Sequence, residues 1–220
     1  MRSKNYFYHL FNQYKSVFTS DKRRSLYTAL FLLILSMFFQ YYSSNYSTAH
    51  STQFVGDIFL DNMPTINMNP IIVEGALISL ALGILLVLSK PRYIIFTIKT
   101  FAIFVTLRSF FVAATHLGIY PDQIVPSKGF FDQIYLALNL ESGYFFSAHT
   151  GLPFLMGLIF VKDPFWRNIF FAMSCLFGVS VLLAHVHYSI DVFAAPFMTY
   201  SVYKMSVYLF KEDYKLIESE

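Results

Sequence analysis

The chain has little of what builds a water-soluble domain. Charged residues make up only 13% of its 220 residues, against 56% hydrophobic and 20% aromatic, where soluble proteins carry about 25% charge. That composition excludes an ordinary soluble enzyme and fits a membrane protein. There is one cysteine, Cys175, which excludes an intrachain disulfide and a multi-cysteine metal site; within an apolar run it reads as a lipid-facing or packed side chain. The net charge is only +3, from 16 basic and 13 acidic residues scattered along the chain. No basic face forms, so nucleic acid is excluded as the default partner. Nine glycines and eight prolines, with no repeat and no low-complexity tract, leave no linker between domains. A single integral membrane domain over 1–220 is expected.

What is present is a series of apolar runs. Only internally hydrogen-bonded backbone survives in hydrocarbon, so a run of roughly 18 residues or more reads as a spanning helix. Six candidates cover about 26–42, 71–88, 93–117, 145–161, 165–184 and 190–210. The fold class expected is therefore all-α, a polytopic bundle of six transmembrane helices. The polar, basic stretch ahead of the first run marks it as a retained span rather than a cleaved signal. Basic residues hold their loops on the cytoplasmic side, and 14 of the 16 fall on one side of this threading. Both termini, the segment 1–24 and the tail 211–220, are then cytoplasmic. The external segment from Ser43 to Pro70 has no Lys or Arg but carries Asp57 and Asp61; it either packs over a site or floats.

Ionisable groups inside spans are costly, and each is a functional candidate. Arg108 falls in the outer half of the third run, His149 near the outer start of the fourth, and His185, His187 and Asp191 at the outer junction of the fifth and sixth. All five map to one leaflet. His187 and Asp191 are spaced i,i+4, so a helix starting near His187 would put both on one face, with the carboxylate fixing the imidazole tautomer. The other ring nitrogen is then free to attack an electrophile. His149 supplies a general acid or base, and Arg108 a fork of donors matched to phosphate oxygens. No G-x-S-x-G occurs, so acyl transfer lacks its nucleophile elbow. His185 faces elsewhere if the junction is helical and the same way if it is extended. Glu141 is the best further candidate, as a proton relay or substrate contact, ahead of Glu74 and His116.

Ser147-Ala148-His149-Thr150, followed by Ala184-His185-Val186-His187-Tyr188-Ser189-Ile190-Asp191-Val192, resembles the two final signatures of the sphingomyelin synthase family, a branch of the type 2 phosphatidic acid phosphatase superfamily. Leu107-Arg108-Ser109, continuing to Pro121, is similar to that family's preceding arginine motif. The match covers about 101–200. The resemblance implies that His187 is a nucleophile forming phosphohistidine, that Asp191 orients it, that His149 protonates the leaving oxygen, and that neither metal nor cofactor takes part. Ala148 stands where the family usually has glycine, and Gly143 where the synthases carry an acid. Ser180-Val181 replaces the Ser-Arg of the superfamily's phosphatases, and their Lys-x6-Arg-Pro signature is missing.

The function expected is an integral membrane lipid phosphatase or headgroup phosphotransferase acting at the outer leaflet on a lipid phosphoester, with water or a lipid hydroxyl as acceptor. A different class is a non-catalytic lipid binder or scramblase retaining the fold. For single residues the structural alternatives are a capping His187–Asp191 pair, an interfacial His149 and a snorkelling Arg108. A transporter is disfavoured by the lack of inverted repeats. Protein partners and the lipid itself are not legible.

Overall fold

The computed structural model describes residues 8, 11, 13–15, 17, 19–124, 129–137 and 143–219. Every regular element among them is helical: α1 Ser20–Ala49, a 3-10 turn Leu60–Asn62, α2 Asn69–Ser89, α3 Pro91–Ala114, α4 Phe130–Ala137, α5 Ala148–Ile159, α6 Pro164–Leu183, α7 Ser189–Leu209 and α8 Lys211–Glu218. Among the described residues, four helices are long and apolar enough to cross a membrane, namely α2, α3, α6 and the Lys22–Ala49 part of α1. The two remaining runs read from the sequence also become helices, but of another kind. α5 has 12 residues, about 18 Å at 1.5 Å per residue, short of the roughly 30 Å of hydrocarbon. α7 has 21 residues but is diluted by Thr199, Ser201, Lys204, Ser206 and the internal Pro196.

Proline and side-chain caps set several boundaries. Pro91 and Pro164 open α3 and α6 within the first turn, where a missing N–H leaves nothing unsatisfied. Asp163 caps α6 by accepting from the Trp166 amide at 3.4 Å, and Ser147 caps α5 through the Thr150 amide. α7 has no side-chain cap of its own. A remote residue supplies it, for the Ser189 amide donates to Asp57 Oδ2 at 2.7 Å.

α1 rides on α3 along a seam of small residues. Ala29, Ser36, Ser43 and Ser47 are all buried, and small side chains let two backbones approach where lipid supplies no hydrophobic drive. Ser43 Oγ donates to the Ser109 carbonyl and Ser47 Oγ to that of Thr115. Phe31, Ile34 and Phe38 point outward on the other face, as lipid-facing residues do. The main core joins α3, α5, α6 and α7 around Phe96, Phe104, Leu155, Phe170 and Val202.

The connections gather at two ends. At one end the segments 50–68, 115–124, 143–147 and 183–188 come together: the Thr52 amide donates to His116 O, that of Ile66 to Leu183 O and that of Ile124 to Ala184 O. At the other, Lys90 pairs with Asp163 at 3.4 Å, Lys162 Nζ donates to Glu218 O, and Arg92 to Ser219 O. The tail is not a loose extension, since α8 buries Asp213 and Ile217.

Candidate active site

Asp191, on the first turn of α7 and fully buried, organises the site. Its Oδ2 lies 3.0 Å from His187 Nδ1. Its Oδ1 accepts from the Phe145 amide at 3.1 Å, and its backbone carbonyl from the Ser147 amide at 2.9 Å. The pair expected from the i,i+4 spacing is therefore formed, although not on a helical face. α7 begins at Ser189, so His187 stands outside it, delivered by a turn in which His185 adopts φ 55°. The turn, not the helix, aims the ring.

His149, in the first turn of α5, faces this pair with ring centroids 5.9 Å apart and planes at 65°. Its Nε2 lies 2.6 Å from the hydroxyl of fully buried Tyr135 on α4, while its Nδ1 is buried without a hydrogen-bond partner. Pro153, one turn on, has no N–H to return to the His149 carbonyl.

Arg108 is only 4% exposed, on α3. Its Nη2 donates to Gly143 O at 2.9 Å and its Nε to Phe146 O at 3.3 Å. The short loop 143–147 is thus fastened on one side to Arg108 and on the other to Asp191. Phe145 and Phe146 sit at φ 94° and 24°, a region that L-residues seldom adopt and that persists only where the surroundings impose it. Gly143 has φ 82°, and a Cβ there would collide with Val112. No acidic side chain fits at this position.

The other sequence candidates divide. His185 turns away from the pair: its Nδ1 meets Thr65 Oγ1 at 3.2 Å and its ring lies edge-on to Tyr120. Glu141 lies outside the described residues. The segment 50–68 packs down instead of floating. Asp57 holds Ser189, Tyr188 Oη donates to Gly118 O at 2.8 Å, and Tyr120 Oη donates to Asp61. Gly118 admits the strand of chain at Thr52 and Gln53 because a Cβ would strike their backbone. Burial works against the Asp57 carboxylate, but the amides of Ser189, Leu60 and Phe59 outweigh it and hold the group below the ordinary 3.8. The hydrogen bond to Asp61 pushes the Tyr120 phenol up to about 12.

Tyr135 and Tyr144 were not among the sequence candidates. The Tyr144 ring stands edge-on to His187 at 6.2 Å, and its hydroxyl donates to Gln123 Oε1 at 2.8 Å. The available signal was positional: Tyr144 lies five residues before His149 in the same loop, and Tyr135 in a short amphipathic stretch just upstream.

Comparison with family models, curated protein sequences and solved structures finds no match. Two imidazoles face each other, one oriented by a buried carboxylate, with a guanidinium fixed nearby, and these residue types can in principle serve as nucleophile, acid and anion-stabilising group. Chemically this set is suited to displacement at a phosphoryl centre.

Proposed function

We propose that the chain is an integral membrane lipid phosphatase or headgroup phosphotransferase that cleaves a lipid phosphoester through a phosphohistidine at His187. The observation that carries the reading is the 3.0 Å His187–Asp191 bond facing the His149 ring at 5.9 Å. The similarity of the flanking residues to the sphingomyelin synthase signatures supports it further. In the proposed architecture all six long apolar runs lie across the bilayer, α5 as a short span, with both termini cytoplasmic and the histidines facing the exterior, periplasm or lumen.

Bonding of Nδ1 to Asp191 leaves His187 Nε2 as the attacking atom. Its lone pair forms the P–N bond as the P–O bond to the lipid alcohol breaks, and a proton from His149 passes to the departing oxygen. Water or a lipid hydroxyl then attacks phosphorus, the P–N bond breaks, and the acceptor's proton returns to His149. One intermediate serves both hydrolysis and transfer. Tyr135, on His149 Nε2, orients the acid. His149 and His187 are 6% and 4% exposed, so substrate entry requires neighbouring groups to move first.

The test is incubation of the purified chain with a panel of phospholipids and alcohol acceptors, with products read by mass spectrometry. His187→Ala should abolish both turnover and acid-labile phosphoprotein. Wild-type turnover in that variant would remove His187 as the nucleophile, whereas no product from any lipid would favour a non-catalytic lipid binder.

A further inference from the structure

At the end of the molecule away from the histidines, a cavity of about 450 Å³ opens between the start of α1, the first half of α3 and the α7–α8 junction. Lys22, Arg24, Lys99 and Lys211 line it, with Glu212 and Asp213. The two carboxylates are already committed. Asp213 receives Lys99 Nζ at 2.7 Å, with both side chains buried, and it also accepts from Ser25 Oγ. Glu212 is bridged by Lys215 at 2.7 Å. Lys22, Arg24 and Lys211 make no ion pair within 4 Å among the described residues, and although the Glu212 carboxylate lies within electrostatic reach of Lys22 and Lys211, the lining carries four cations against two carboxylates above a floor made rigid by a buried pair.

From this we infer a second site, one that binds a phosphate-bearing anion. The volume suits a headgroup, and the donors come from two elements, α1 and α8, brought together by the Lys99–Asp213–Ser25 cluster. Arg24 offers the planar fork that grips phosphate oxygens, and the two lysines act as point charges. Basic pockets between helices at a membrane interface are where anionic headgroups lodge, each cation adding roughly 1 kcal/mol, or about fivefold in affinity. The same oxygens belong to a lipid headgroup and to a free phosphate, and the two sources differ in the apolar tail. None of these residues belongs to the histidine site, so the inference stands apart from the proposed phosphoryl chemistry.

The test uses the full chain in neutral phosphatidylcholine nanodiscs. One arm adds phosphatidylglycerol or phosphatidic acid and reads retained lipid by native mass spectrometry; the other titrates inorganic phosphate calorimetrically. Lys22→Gln/Arg24→Gln/Lys211→Gln should weaken binding about 10²-fold. A charge-matched variant at positions that do not line the cavity, Lys15→Gln/Arg167→Gln/Lys204→Gln, should retain it within about threefold. Arg24→Gln alone, on an exposed side chain, should lose about fivefold with an unchanged thermal midpoint, separating lost binding from lost folding. Preference for the lipid arm identifies a headgroup and preference for the phosphate arm a soluble anion. Equal losses in both triple variants, or binding in neither arm, would overturn the inference.

Discussion

At the scale of single residues, the division of labour between two imidazoles can be tested by leaving group. His149→Ala should slow release of a poor leaving group such as diacylglycerol by about 10²–10⁴-fold, the usual size of lost general acid catalysis, and slow a nitrophenol ester far less. Asp191→Asn should also lose activity heavily, because an amide cannot stabilise positive charge developing on the His187 ring. That variant should still fold, since the Phe145 amide and the Ser147 amide keep an oxygen to donate to. Tyr135→Phe removes one hydrogen bond from His149, typically worth about 1 kcal/mol, so kcat for the poor leaving group should fall roughly five- to tenfold, with its pH profile displaced and KM little changed. A fall in KM alone, with an unmoved pH profile, would show that Tyr135 shapes only the pocket. What was legible here was the pair spaced four apart, since carboxylate and imidazole at that spacing meet in several backbone conformations. Tyr135 was not legible, because its bond to His149 depends on how a loop folds back between them.

At the scale of elements, the segment 50–68 is a cover fastened by a carboxylate. The folded-state pKa of Asp57 lies below its ordinary 3.8, so its contribution to stability is complete above that value and is lost as pH falls through the lower, folded one. Acidification below about pH 4 should therefore free the cover before the helices separate, seen as faster hydrogen exchange at residues 54–66 and at Ser189. Asp57→Asn should loosen the same residues at neutral pH and abolish the acid dependence. Unchanged exchange in that variant would mean the cover is held by Tyr188 and Tyr120 instead. Long helices were readable because hydrocarbon sets a minimum length and forbids polar interruptions; α2 departs from its expected run by only two residues at its start and one at its end. α5 is shorter than its apolar run because Ser147 caps it after the Phe145–Phe146 kink, and α4 went unread because eight residues carry too little periodicity.

At the scale of the whole molecule, the connections fall into two groups held at opposite ends, and the basic residues concentrate at the end away from the histidines. A reporter fused after Glu220 should be active only when it folds in the cytoplasm, and one inserted near Asn62 only outside. Activity in the reverse pattern would put the histidines on the cytoplasmic face and invalidate an outer-leaflet substrate. That most of the basic residues would gather away from the histidines was readable from charge asymmetry. How α1 attaches was not, because a seam of serines on an apolar helix looks like ordinary dilution until α3 lies beside it.

The bond between Asp57 and the Ser189 amide spans 132 positions, which gives it a place in time as well as in space. A ribosome delivers Asp57 long before Ser189 exists, so the carboxylate waits, hydrated, through the synthesis of five further helices. Only the arrival of α7 completes the clasp, and the same event brings Asp191 to His187. Both the Asp57–Ser189 bond and the His187–Asp191 pair thus wait on the same late segment of the chain. A nascent chain halted before α7 lacks Ser189 and Asp191, and with them both bonds.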